Sequence, residues 1–119
     1  MLIAGAGGFV GTCCRFWVNK LSAIFSAGPF PWATFIVNIV GCFLFGAFLG
    51  WLEKNNCLTP NMRALLLVGF CGGFTTFSTF SDELFQMSSL NEWLWFAVYL
   101  ILSVVLGILF VWLGRSVSA

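Results

Sequence analysis

The sequence predicts an all-α integral membrane protein of four transmembrane helices, assembled as an antiparallel, dual-topology homodimer. Three observations carry this prediction. Of 119 residues, 61% are hydrophobic and 8% charged, with a mean hydropathy of +1.03, outside the balance of a water-soluble domain of this size. Four apolar runs each approach the ~20 residues that cross a bilayer. Lys and Arg divide almost evenly between the two sides that four spans would define, so neither insertion orientation is strongly favoured.

The whole chain, residues 1–119, reads as one transmembrane domain. The first span covers about residues 2–25. No Lys or Arg lies within the first ten residues, so this segment is expected to be retained as a span and not removed as a leader. Pro31 suits a turn or a first helical position and opens the second span, about 32–52, which Trp32 and Trp51 bracket in the manner of an interfacial aromatic belt. The third span covers about 62–85. The fourth, about 93–113, carries Trp93, Trp95 and Trp112 near its ends, and Ser89 or Asn91 is placed to cap it, with Glu92 favourable near its positive end.

Four spans put the N-terminus, the loop 53–62 and the C-terminus on one side, with Lys54, Arg63 and Arg115; the other side holds Lys20 and, if it snorkels, Arg15. Such a near-tie makes both topologies accessible, and an antiparallel dimer follows if both occur. Four helices alone would hardly hide a polar path from lipid, which independently favours a dimer. The pairs Gly7 and Gly11, Gly46 and Gly50, and Gly69 and Gly73 are each four residues apart, the spacing that lets membrane helices approach closely.

Composition also excludes functions. A net charge of +1 offers no basic face for a nucleic-acid backbone. Cys13, Cys14, Cys42, Cys57 and Cys71 form no C-x-x-C pair, and the chain has no histidine; they read as small buried hydrophobes, not as a metal cluster or disulfide framework. Glu53, Asp82, Glu83 and Glu92 are the only acids and form no evident acid–base pair, so no enzyme is expected.

The polar residues inside the spans are few, and a polar group in hydrocarbon usually faces the protein interior. On residue type, Asn38 suits either an interhelical hydrogen bond or a place along a polar path. Arg15 suits snorkelling to the interface. Tyr99, Ser103 and Gly107 recur four apart and share one helix face. The stretch from Gly69 to Ser81, Gly-Phe-Cys-Gly-Gly-Phe-Thr-Thr-Phe-Ser-Thr-Phe-Ser, stands out. Gly72 and Gly73 ease a departure from helical backbone, freed carbonyls can ligate a hard cation such as Na+, and Phe77 and Phe80 can turn ring edges toward an anion. Close small-residue packing in an unbroken helix is the alternative.

Three blocks carry a resemblance: Gly7-Gly8-Phe9-Val10-Gly11 followed by Arg15-Phe16; Thr34-Phe35-Ile36-Val37-Asn38-Ile39-Val40-Gly41; and, most specific, the whole of Gly69 to Ser81. Over nearly its full length the chain resembles the small fluoride channels of the CrcB/Fluc family. The resemblance implies an antiparallel homodimer in a bacterial inner membrane, with two pores passing F− passively out of the cell and excluding Cl−. It implies a third transmembrane helix broken near Gly72–Thr75 and a structural Na+ at the dimer centre, held by the backbone carbonyls of Gly72 and Thr75 from that break in each subunit. It also implies pore residues Asn38, Phe77, Ser78, Thr79, Phe80, Tyr99 and Ser103, with Arg15 and Glu83 as vestibule or end-of-pore groups. One departure is Gly107, where some members place a second hydroxyl on the fourth span.

Two rival membrane readings fit less well. A four-span cation exporter needs a membrane-embedded carboxylate, and residues 2–16 contain no Asp or Glu. A purely structural subunit would not need a polar break in its third span.

Overall fold

The computed structural model describes residues 1–22 and 30–118, and among them every regular element is helical. Helix α1 spans Leu2–Ser22 and α2 spans Trp32–Lys54. The third segment begins as α3 (Pro60–Met62), continues as a π-helix (Arg63–Cys71) and a closing turn α4 (Gly72–Phe74), and resumes as α5 (Phe77–Ser89). Helix α6 spans Trp93–Ser118. The expected extension of the first span to residue 25, and the start of the turn at residues 27–29, lie outside the described residues.

Among the described residues three stretches are long and apolar enough to cross a membrane: Trp32–Lys54, Pro60–Ser89 and Trp93–Ser118. Helix α1 has 21 residues, enough for the hydrocarbon core at ~1.5 Å per residue, but Arg15, Asn19 and Lys20 in its second half lower its apolarity. The longest axis of the chain is 49 Å, close to the full thickness of a bilayer with its headgroups.

The ends of the third segment follow local chemistry. Thr59 accepts from the Met62 amide at 3.2 Å and Pro60 occupies the first turn, the pairing that starts helices. Asn91 differs from expectation, because it ends α5 instead of capping α6. Its φ is 57°, its amide bonds to Ser88 O at 3.2 Å, and the Glu92 amide bonds to Met87 O at 2.8 Å. Asn56, with φ 56°, closes α2 in the same way through Asn56 N to Glu53 O (3.3 Å) and Cys57 N to Leu52 O (2.8 Å). Both are left-handed helix stops in which Asn tolerates the αL conformation and the amides that follow satisfy the last free carbonyls.

Packing is organised in two pairs, α2 along α6 and α1 along the π-helix and α4. Glycine sets both distances. A Cβ on Gly7 or Gly11 would meet the carbonyl of Leu65 or Phe70, and one on Gly46 or Gly114 would meet that of Val111 or Phe43. The expected glycine spacings therefore do their work by close approach of backbones. Gly46→Val is expected to destabilise the protein by about 1–3 kcal/mol through overpacking. Gly5→Ala, with nothing within 4 Å of the added carbon, should leave the melting temperature in detergent unchanged; equal shifts for the two would refute the packing role.

Tyr99, Leu52 and Val37 are the largest fully buried side chains. Tyr99 sits between Phe80, at a ring-centroid distance of 4.9 Å, and Phe30, at 5.3 Å, both edge-on. Much of the remaining apolar surface is open, including Phe9, Phe77 and Ile108, as expected where lipid or a second copy covers the chain.

Candidate functional site

The polar stretch of the third segment does break, at Thr75, the last residue of the expected range, and at Thr76 just beyond it. Gly72 is helical, with φ −64° and ψ −37°, and among the described residues no glycine has positive φ. The chain becomes extended at Thr75 (φ −86°, ψ 163°) and Thr76 (φ −147°, ψ 122°) before Phe77 restarts the helix. Threonine is β-branched and well suited to extended backbone. Gly73 serves close contact instead, since a Cβ there would meet the Gly8 carbonyl.

Side chains satisfy most of the backbone that the break releases, as a low-dielectric setting demands. The Thr75 amide and hydroxyl both donate to Cys71 O, at 3.0 and 2.9 Å. Asn38, from α2, clamps Thr76 with two hydrogen bonds: Thr76 N–H donates to Oδ1 at 2.9 Å and Nδ2 donates to Thr76 O at 3.0 Å. The Thr76 hydroxyl caps α5, accepting from Thr79 N at 3.3 Å and donating to Thr79 Oγ1 at 3.2 Å. These diversions have a consequence at two oxygens. In an unbroken α-helix the Thr76 amide would close onto Gly72 O and the Thr79 amide onto Thr75 O; here the first goes to Asn38 and the second to the Thr76 hydroxyl.

Two of the cavities beside the break share Thr76. One, of about 320 Å³, is lined by Asn38, Cys42, Thr75, Thr76, Phe77, Phe80, Ser103 and Val104. It brings together Asn38, Phe77, Phe80 and Ser103 of the expected pore residues. The rings of Phe77 and Phe80 lie 6.1 Å apart, tilted by 47°; Phe80 is buried, whereas Phe77 is 78% exposed. The other cavity, of about 280 Å³, is lined by Arg15, Thr34 and Thr79 with Thr12, Phe16, Asn19, Val37 and Thr76. Arg15, expected to snorkel, is half-buried against this polar cavity.

The remaining expected residues are placed differently. Tyr99 has no exposed surface, and its hydroxyl donates to Glu83 Oε1 at 2.8 Å, so that proton is not offered to either cavity. Glu83 Oε2 accepts from Thr34 Oγ1 at 3.1 Å. Glu83, expected as an end-of-pore group, thus joins α5 to α2 and α6. Ser78 is exposed and lines neither cavity; its hydroxyl lies 3.5 Å from that of Thr76. Thr34 was not anticipated as a site residue, although it lies four positions before Asn38 and so on the same face of α2.

A sequence profile described as "CrcB-like protein, Camphor Resistance (CrcB)" matches residues 2–115. The chain belongs to the CrcB family. Relatives include a "Fluoride-specific ion channel FluC" of Flavobacterium psychrophilum, 42% identical over 94% of this chain and 90% of the relative. Proteins of the same name from Phocaeicola vulgatus and Nitrosococcus oceani are 42% and 41% identical, over 99% and 98% of this chain and 97% and 90% of theirs. The CrcB match runs from the start of α1 to Arg115 in α6, so both cavities and the break lie within it.

Proposed function

We propose that this protein is a fluoride-selective channel that passes F− passively out of a bacterial cell across the inner membrane. The observation that carries the reading is the cavity where the Asn38 amide, the Ser103 hydroxyl and the Phe77 and Phe80 rings meet beside the helix break, in a chain whose relatives bear the name of fluoride-specific channels. Fluoride is small and strongly hydrated, so it gives up water only to dense hydrogen-bond donors. A fixed charge in the passage would hold it too tightly for exit. The clamp on Thr76 uses Asn38 Oδ1 and one Nδ2 proton, leaving the second for an anion. Ser103 lines the same cavity and offers its hydroxyl. The phenylalanine edges add weak positive potential at low dielectric, and Arg15 at the second cavity draws anions toward the entrance.

The same reading includes an antiparallel homodimer with two pores and four spans per subunit. Its support is the near-even charge distribution, together with surface left uncovered in one chain, notably Phe77 and Gly72, where an added Cβ would find nothing within 4 Å. A structural Na+ at the dimer centre would be held by the Gly72 and Thr75 carbonyls. The donor set fits, because these two oxygens lose their α-helical amides to Asn38 and to Thr76, and neutral carbonyls are ligands for a hard cation. When bound, Na+ supplies a compact positive charge against the carbonyl dipoles.

The experiment is efflux from proteoliposomes loaded with fluoride or chloride and followed with ion-selective electrodes. Fluoride is expected to leave through the protein while chloride stays; equal release of both would overturn the assignment.

A further inference from the structure

The channel reading leaves the cysteines without a role, and two of them line one cavity. Cys42 of α2 and Cys71, the last residue of the π-helix, line a single cavity of about 250 Å³ together with Gly41, Gly72 and Thr75. Cys71 is 4% exposed. Cys42 Sγ is held toward α6, where a Cβ on Gly107 would lie 3.4 Å away. The other walls are Phe45, Leu67 and Val111, so no charged side chain lines this cavity. The remaining thiols are elsewhere: Cys13 and Cys14 lie on α1, and Cys57 bonds to Asn55 O.

We propose that Cys42 and Cys71 form a two-thiol binding site for a soft divalent d10 cation of the mercuric type. Ligand chemistry selects this class. Thiolates favour soft ions, and zinc would want four ligands, whereas among the described residues no three His, Cys, Asp or Glu side chains converge to hold a metal. A mercuric ion is satisfied by two sulfurs. On binding, both S–H bonds break, two Hg–S bonds form and two protons leave to water, with no change of oxidation state. The product is neutral, so it suits the apolar walls of Phe45, Leu67 and Val111 and adds no charge beside Gly72 and Thr75, the residues proposed to hold Na+. Cys42 and Thr75 also line the cavity of Asn38 and Ser103, so an ion held here sits against the wall of the proposed pore.

The test uses the full chain carrying Cys13→Ala, Cys14→Ala and Cys57→Ala, purified in detergent and titrated with mercuric chloride in competition with glutathione. Thiol loss and X-ray absorption at the mercury edge are the readouts. One mercury per chain, two thiols consumed and two sulfur neighbours are expected. Adding Cys42→Ala or Cys71→Ala should weaken binding by more than ~100-fold, beyond the loss typical of an outer-shell partner; Cys71→Ser serves if the alanine variant does not fold. Two mercury ions per chain, each on one protein sulfur, would overturn the site, as would affinity unmoved by either substitution. The readout does not depend on ion permeation, so its failure and that of the channel reading are distinguishable.

Discussion

Asn38→Ala is expected to lower thermal stability and fluoride efflux together. The side chain supplies both partners of the Thr76 backbone, through hydrogen bonds of 2.9 and 3.0 Å. Truncation leaves an amide and a carbonyl without partners at the one place where the third segment departs from helix. Each such group costs about 1–3 kcal/mol when buried, and partial burial here puts the effect toward the lower end for each. Asn38→Asp separates the contributions, because a carboxylate can still accept from Thr76 N–H but turns an acceptor toward Thr76 O. It should lose stability as well, despite near-identical shape. Melting temperature in detergent and efflux from proteoliposomes check both variants; an Asn38→Ala protein with unchanged melting would show that the clamp does not hold the break.

Glu83→Ala should be the other severe substitution. The carboxylate is the common acceptor for Tyr99 and Thr34, whose side chains are 0% and 5% exposed, so truncation strands two buried hydroxyls at about 1–3 kcal/mol each. Glu83→Gln keeps one carbonyl acceptor and should be milder. Tyr99→Phe should be milder still, since it removes the buried donor and leaves Glu83 bonded to Thr34. The expected order of melting temperatures, Ala below Gln below Phe, is the check. Thr34 also lines the Arg15 cavity, so Glu83→Ala should reduce efflux too. Equal melting for Glu83→Ala and wild type would remove the cluster as a structural joint.

Some of the site was legible because it depends on residue type along a short stretch. The run of Gly, Thr, Ser and Phe from Gly69 to Ser81 marked a departure from ordinary spanning helix, and the break does fall inside it. It falls at the far end of the expected range, Thr75, and runs on to Thr76, because glycine does not provide the unusual backbone. Gly73 is needed for contact with α1, and the extended residues are Thr75 and Thr76, whose freed groups find partners in side chains. Asn91 was misread for a related reason, since Asn serves equally at a helix start and in a left-handed stop. Tyr99 and Ser103 share a face as their spacing required, yet Tyr99 is occupied by Glu83 whereas Ser103 faces a cavity.

The helical class, the approximate limits of the second, third and fourth apolar segments and the close glycine-mediated approach of helices were legible in the residues alone, because hydropathy and small-residue spacing act locally along a segment. Only the tertiary structure decided where the third segment breaks and what stabilises it. The decisive partners, Asn38 and Thr76, lie 38 residues apart, and Thr34 and Glu83 lie 49 apart. Which polar groups meet across helices depends on how the helices are rotated and on the π turns that shift the face presented beyond Cys71, and neither is written in the residue types of any one segment.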